Sequence, residues 1–297
     1  WNWQMTNYVA KAVKEKYPNC LIVFGGEMVP RNHKEMLEKF FKEKPYVDLI
    51  VHGEGELTFK DILLENLKED KDFTKVKGCS VKLKNNETFT TEPRERITDI
   101  NLMPSPYLDG TFNRIVKSNI DYKFEAVVES VRGCPYRCNY CASPQHWKRD
   151  KTQYRSPESV ISEMRHLKEF YWDTVKEYDY SASANTQQKS NLKIRDNTIV
   201  YFVDDIFTVK KKRVKTILKM MIDQNLGMDW KCEARTDHLD EEICELMFQS
   251  GCSRVKLGFE SGSDRLLKDI QKDETREEML RGAKMLKNAK VPFTAYF

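Results

Sequence analysis

The sequence predicts an α/β protein in two parts, an incomplete doubly wound domain followed by a partial (β/α) barrel. Three observations carry that reading. Short apolar runs alternate with longer stretches of helical apolar spacing, the pattern of parallel sheets joined by helical crossovers. The alternation breaks once, in residues 93–107, an irregular stretch holding Pro93, Pro104 and Pro106. Beyond the break, polar residues recur at the carboxyl ends of successive strands, the edge at which β/α barrels build their sites. The expected limits are 1–92 for the first domain, 93–125 for a connector and 126–297 for the barrel part.

In chain order, residues 1–16 have helical apolar spacing at Met5, Val9 and Val13. Residues 20–24 (CLIVF) read as a buried strand closed by Gly25 and Gly26. Residues 34–44 read as a helix with Met36, Leu37, Phe40 and Phe41 on one face. Residues 47–51 (VDLIV) are a second buried strand, followed by Gly53, Glu54, Gly55 and Glu56, and residues 57–67 are again helical. Both glycine groups end strands, where open α/β sheets bind ligands and where glycine lets a ligand approach the backbone. Ordinary tight turns give the same spacing, and neither group makes a G-x-G-x-x-G fingerprint. Residues 78–91 read as a hairpin turning at Asn85 and Asn86.

The second part opens with a strand at 126–131 that runs into RGCPYRCNYC, residues 132–141. Ser156, Pro157 and Glu158 start a helix to about 171: an N-cap serine, a proline at the first position and an acid in the first turn. Residues 178–196 are polar and read as a flexible insertion. Strands follow at 198–203, ending in Asp204 and Asp205; at 228–234, ending in Arg235; and at 254–259, ending in Glu260 and Ser261. Helices at 211–224, 240–249 and 275–288 separate them, and 291–297 begins a fifth strand. Five strands do not close an eight-stranded barrel, so an open partial barrel, a truncated chain or both are expected.

Composition excludes several classes. The chain is 40% hydrophobic and 32% charged, which suits a globular protein rather than a disordered one. No apolar run reaches the length of a membrane span and no secretory leader is visible, so a cytoplasmic location is expected. The net charge of +4 and the lone basic block Lys210–Arg213, which reads as a solvated helix start, argue against nucleic acid as a partner. Eight scattered or clustered cysteines do not make a disulfide framework. Cys20, Cys232 and Cys244 lie in apolar-patterned elements and are expected to be buried free thiols.

Cys134, Cys138 and Cys141 stand at C-x3-C-x2-C, with Gly133 and Pro135 keeping the first on a loop. Three thiolates this close can grip one inorganic centre from one side. A structural zinc site needs a fourth ligand, which His146 could supply. An iron–sulfur cluster on three cysteines leaves one iron open to a substrate or cofactor.

The cysteine spacing, with Tyr140 just before the last cysteine and a strand before the loop, resembles the signature of the radical S-adenosylmethionine (SAM) superfamily over 126–297. The resemblance implies a 4Fe–4S cluster on Cys134, Cys138 and Cys141, with SAM chelating the fourth iron. It further implies an external electron donor such as a flavodoxin or ferredoxin, and cleavage of SAM to methionine and a 5′-deoxyadenosyl radical that takes hydrogen from a substrate. Under the resemblance Asp204 and Asp205 stand where the family binds the methionine amino group, DD in place of the commoner GGE. Arg235 would meet the carboxylate, Glu260 and Ser261 match the ribose position, and Tyr140 packs near the adenine. The family's next glycine-rich stretch lies beyond Phe297.

In the first part, FGGEMVP, VDLIVHGEGELTF, the hairpin and ITDINLMPSP are similar to the cobalamin-binding domain that precedes many radical SAM enzymes. Gly25, Gly26, Gly53, Glu54, Gly55 and Glu56 would then line the nucleotide-tail side of a cobalamin pocket. The chain starts inside that domain and has no DxHxxG cobalt-ligand motif. The leading expectation is cobalamin-assisted methyl transfer or radical rearrangement on a small-molecule or peptide substrate that the sequence does not identify. Two others stay open: a radical SAM enzyme without cobalamin, whose first domain is a substrate scaffold, and a non-catalytic zinc module.

Overall fold

The computed structural model describes residues 2–30, 33–118, 124–142, 152–172 and 198–297. Contacts divide the chain into two compact units, Trp1–Ile97 and Thr98–Phe297. The stretch read as a connector is shared between them. Arg94 is ion-paired with Asp61, and Ile97 N–H donates to the Glu54 carboxylate at 2.7 Å, within the first unit. Tyr107 belongs to the second, its hydroxyl donating to the Val127 carbonyl at 2.9 Å and accepting from Val127 N–H at 2.8 Å.

In the first unit, helix α1 (Trp3–Lys16) precedes strand β1 (Val23–Phe24), α2 (Lys34–Glu43) precedes β2 (Leu49–Val51), and α3 (Gly55–Asn66) leads to β3 (Cys79–Lys82) and β4 (Thr88–Thr90). The sheet order is β1-β2-β3-β4. β1 and β2 are parallel, and the hairpin adds to them antiparallel, making the sheet mixed. Side chains alternate between its faces. Ile50 packs with Phe24, Leu37, Phe40 and Phe41; Leu49 and Val51 pack with Ile62, Cys79 and Val81. Burial on both faces is why VDLIV reads as a nearly unbroken apolar run. Two details correct the sequence reading. Met36 is exposed, at the margin of the stripe formed by Leu37, Phe40 and Phe41. Cys20 is exposed because the strand begins only at Val23, after a turn.

The second unit holds α4 (Thr111–Ser118), β5 (Phe124–Val128), β6 (Val131–Arg132), β7 (Gln153–Tyr154), α5 (Pro157–His166), β8 (Thr198–Phe202), α6 (Lys211–Asp223), β9 (Trp230–Ala234), α7 (Glu241–Gln249), β10 (Cys252–Gly258), α8 (Asp264–Asp269), α9 (Arg276–Asn288) and β11 (Phe293–Tyr296). Five of the strands form a parallel sheet in the order β11-β10-β9-β8-β5. Its helices start where the sequence places their caps. Ser156 Oγ accepts from Ser159 N–H, Asp240 from Ile243 N–H, and Thr275 and Glu278 form a reciprocal capping box.

One face of this sheet is dry. Ala126, Val128, Val200, Phe202, Trp230, Cys232, Val255 and Leu257 are buried against Ile161 and Met164 of α5, Ile217 and Met221 of α6, Ile243 and Met247 of α7, and Leu286 of α9. Trp230 is enclosed by Phe202 and Phe207, with its indole N–H donating to the Ser250 carbonyl at 3.0 Å. The alternate positions Glu125, Tyr201, Lys231, Glu233 and Lys256 stand on the other face. The strand expected at 126–131 is interrupted: β5 ends at Val128, and Val131–Arg132 pair separately with Gln153–Tyr154. The insertion read at 178–196 lies outside the described residues.

Helix α9 approaches the turn after β9 closely. A Cβ added at Gly282 would lie 2.5 Å from Thr236 Cβ and 3.0 Å from its Cα. Gly282→Ala gains about 1 kcal/mol of helix propensity. Forcing the helix off the turn costs about 1–3 kcal/mol. A net loss is expected, read as a lower urea midpoint at unchanged m-value; a raised midpoint would contradict this packing.

Candidate functional site

The polar residues that follow the strands of the second unit converge on one cavity of about 400 Å³. The cysteine loop forms one wall. Gly133, at φ 97°, turns the chain off β6. Cys134 and Cys138 are buried and Cys141 half-buried, and Cys141 N–H donates to the Cys138 carbonyl at 3.2 Å. All three line the cavity. Burial, then Asp205 and the neighbouring thiols, pushes the Cys134 thiol up to about 11. Such a group becomes a thiolate when a cationic centre offsets that cost. Among the described residues, no set of three His, Cys, Asp or Glu side chains converges on a single metal ion. Three thiols bordering one cavity could each serve one iron of a polynuclear iron–sulfide centre. The zinc alternative calls on His146, which lies outside the described residues.

Asp205, read from the sequence as an ammonium ligand, lines the cavity. Asp204 does not, and that expectation is corrected. Its buried carboxylate accepts from Ser130 N–H at 2.6 Å, Val131 N–H at 2.8 Å and Ser130 Oγ at 2.5 Å. Burial raises its carboxyl to about 6, against the opposing pull of those bonds and of Arg213.

Arg235 borders the cavity but is heavily engaged. Its guanidinium donates twice to Asp237, at 3.0 Å each, and to the carbonyls of Lys272 and Asp273 at 2.8 and 2.9 Å. Its face covers the Tyr136 ring at 3.7 Å from the centroid. Glu260 adopts φ 60° and stands 3.7 Å from the Lys272 ammonium, itself 3.9 Å from Glu274. Gly258 makes room for this pair, because a Cβ there would collide with Glu260 Oε1. Tyr140 borders the same cavity; burial, then its hydrogen bond with Glu260, drives its hydroxyl pKa well up. Ser261 is not a lining residue: its hydroxyl accepts from Ser263 N–H at 3.1 Å and shapes the turn, correcting the ribose assignment.

The polar floor of the cavity, Glu233 and Lys256, escaped the sequence reading, as did the network they join. Tyr201 donates to Glu233 at 2.6 Å, and Lys256 donates to Tyr201 at 2.9 Å. Lys231 joins Glu125 at 2.6 Å and lies over the Tyr201 ring. The signal was present as a lysine alternating with apolar residues in RVKLGF, a period-two pattern that puts Lys256 opposite the core. Lys272 and Tyr136 carried no such periodic mark.

In the first unit, Gly25 and Gly26 follow β1, and Gly53 to Glu56 follow β2. Gly26 (φ 85°) and Gly53 (φ 71°) need glycine, and a Cβ at either would meet open space. Gly55 packs a hypothetical Cβ at 3.6 Å from Val51, as does Gly25, and Glu56 is exposed in the first turn of α3. Glu54 is corrected: its carboxylate accepts from Ile97 N–H and pairs with Arg96 at 3.3 Å, closing the unit rather than facing a ligand. His52, beside this turn, is tied through Nε2 to Ser80 Oγ at 2.8 Å.

Residues 128–297 match the Radical SAM superfamily, and the chain belongs to that family. Over 143 residues, 48% of this chain and 20% of the relative, it is 41% identical to 2-(S-pantetheinyl)-carbapenam-3-carboxylate methyltransferase of Streptantibioticus cattleyicolor. Over 279 residues, 94% of this chain and 54% of the relative, it is 29% identical to an uncharacterized methyltransferase of Pyrococcus horikoshii. The chain thus spans between a fifth and about half of these relatives. The fold is that of the cobalamin-dependent SAM radical enzyme OxsB solved with aqua-cobalamin (TM-score 0.70, 20% identity, 99% of this chain and 38% of that one). It is also that of the radical SAM methyltransferase TsrM of Kitasatospora setae (TM-score 0.66, 15% identity, 97% and 51%). Membership in the family brings a 4Fe–4S cluster and SAM as cofactors. No described helix is long and apolar enough to cross a membrane.

Asp204 gives the site a pH signature. Its folded-state value of about 6 lies above the ordinary 3.8, so between these pH values the folded chain holds a proton that the unfolded chain releases. The stability it contributes is full below pH 3.8 and is lost as pH rises through about 6. Asp204→Asn keeps an acceptor for Ser130 and Val131 N–H but cannot titrate. The wild-type minus variant difference in urea midpoint is expected to fall across this window; a pH-independent difference would contradict the buried-acid account.

Proposed function

We propose that this chain carries the cofactor-binding part of a cobalamin-dependent radical SAM methyltransferase. One observation supports this above the others: Cys134, Cys138 and Cys141 share a cavity with Asp205, Glu260 and Tyr140. In this reading the three thiolates hold the cluster, which when bound supplies the electron that cleaves SAM reductively. Asp205 offers an anion to the SAM ammonium, Glu260 accepts from the ribose hydroxyls, and Tyr140 flanks the adenine. Glu260 borders the cavity with a left-handed backbone, hydrogen-bonded with Tyr140 and 3.7 Å from the Lys272 ammonium. The dry helical face behind the sheet fixes the strand ends from which these groups project.

For cobalamin, support comes from the first unit's strand edge, where Gly26 and Gly53 leave open space, and from relatives such as the cobalamin-dependent radical SAM methyltransferase TokK of Streptomyces tokunonensis, 39% identical over 143 residues. Methyl transfer to carbon is the reaction class this implies. Radical rearrangement is the alternative, since anaerobic magnesium-protoporphyrin IX monomethyl ester cyclase of Synechocystis is also similar, at 27% identity over 264 residues. We infer an external flavodoxin- or ferredoxin-like donor for the electron. The free state of all eight cysteines fits a reducing cytoplasm.

Anaerobic reconstitution with iron and sulfide tests the core of the proposal. The wild-type chain is expected to take up both and, with SAM and dithionite, to form 5′-deoxyadenosine. Cys134→Ala, Cys138→Ala and Cys141→Ala are each expected to abolish the product. Zinc without sulfide would overturn the reading. Hydroxocobalamin titration followed by corrin absorbance separates the cobalamin-dependent reading from a corrin-free one.

A further inference from the structure

The cysteine loop is tied to one turn far along the chain, residues 269–274. Asn139 donates to it twice, from its backbone N–H to the Ile270 carbonyl and from its amide to the Asp269 carbonyl, at 3.0 Å each. The turn's next carbonyls, of Lys272 and Asp273, accept from Arg235. Arg235 in turn stacks on Tyr136, whose hydroxyl meets His238 Nε2 at 2.5 Å. Tyr136 and Asn139 stand on either side of Cys138. The turn is sharply folded, with Gln271 and Asp273 left-handed at φ 54° and 53°. It is also anchored, since Glu274 accepts from the N–H groups of Thr236 and Asp237 at 3.0 and 3.3 Å.

A guanidinium has five N–H donors, and four of those of Arg235 go to Asp237, Lys272 and Asp273. That commitment leaves little for a cofactor carboxylate. We propose that Arg235 is a positioning residue, and that turn 269–274 acts with Arg235, Tyr136 and Asn139 as a latch holding the cysteine loop ready before any cofactor arrives. The latch's purpose rests on the cluster reading given above, while its existence is a property of the protein alone. Its benefit is entropic. A free loop would lose its conformational freedom on binding, whereas a latched loop has lost it already on folding.

Cysteine reactivity in the cluster-free chain tests the latch directly. Alkylation by iodoacetamide is followed at each cysteine by mass spectrometry. Asn139→Ala, Tyr136→Leu and Arg235→Lys are expected to speed modification of Cys134 and Cys138 by about three- to ten-fold, the effect of losing one or two local hydrogen bonds. Cys79 and Cys244, buried elsewhere, should keep their wild-type rates. Tyr136→Phe, which retains the ring over the guanidinium but loses the bond to His238, should fall between wild type and Tyr136→Leu. Unchanged rates at Cys134 and Cys138, or equal rises at Cys79 and Cys244, would overturn the proposal. After reconstitution, Asn139→Ala and Tyr136→Leu should retain less iron and sulfide per chain, with unchanged SAM affinity in the loaded fraction. Full iron content with weakened SAM affinity in Arg235→Lys would return Arg235 to the cofactor carboxylate and overturn its assignment. A wild-type chain that takes up no iron but shows the alkylation pattern would sink the cluster reading and leave the latch standing.

Discussion

Asp204 fixes where the chain leaves the sheet. Its carboxylate gathers two backbone N–H groups and a hydroxyl from Ser130 and Val131, at the point where β5 has ended and the cysteine loop is about to begin. A peptide N–H buried without an acceptor is costly, and in this break neither sheet pairing nor helix supplies one. The acid at the end of β8 fills that gap. Two neighbouring strand ends are thereby joined, so the placement of Cys134 depends on a residue 70 positions later in the chain. Arg213 adds a cation from α6, donating to the Ser130 carbonyl at 2.9 Å.

Much of the architecture was legible because its causes are local. Strand runs such as TIVYF, the cap residue Ser156 and the cysteine spacing each carry their own signal. What could not be read is side-chain direction after a strand ends. Asp204 and Asp205 are adjacent and chemically identical, yet one turns inward to the backbone and the other lines the cavity. Glu54 and Glu260 both follow a strand, and the first is consumed by Ile97 and Arg96 while the second borders the cavity. These fates are decided by partners distant in sequence, which composition and periodicity do not register. The strand-end rule led to an edge that borders a cavity and overestimated how many groups at it line that cavity.

The same economy of partners explains the ionic cluster beside the cavity. Arg235 and Lys272 face Asp237, Glu260 and Glu274, and Glu274 is buried with Oε2 lacking a hydrogen bond. Buried charge of this kind is seldom a large net gain in stability, because desolvation offsets the attraction. It is specific, however, because removing one member strands the others. Arginine suits the centre of such a cluster better than lysine. Its planar fork serves a carboxylate and two carbonyls at once while its face remains free for Tyr136.

The polar face of the sheet supplies the cavity floor through Glu233 and Lys256. In a closed β/α barrel the inward positions are filled by branched apolar side chains packed in layers. Here they carry Glu125, Tyr201, Lys231, Glu233 and Lys256, joined by hydrogen bonds and ion pairs across neighbouring strands. Such a face does not need apolar cover, because its polar atoms satisfy one another and can also bind water. It also gives the cavity two unlike walls, thiols and aromatic rings on one side and an ordered charge network on the other. A hydrocarbon pressed against that floor would have to desolvate several ions without replacing their partners, whereas a polar group could exchange into the existing bonds. The polar network on this face of the sheet therefore biases the cavity toward polar contents.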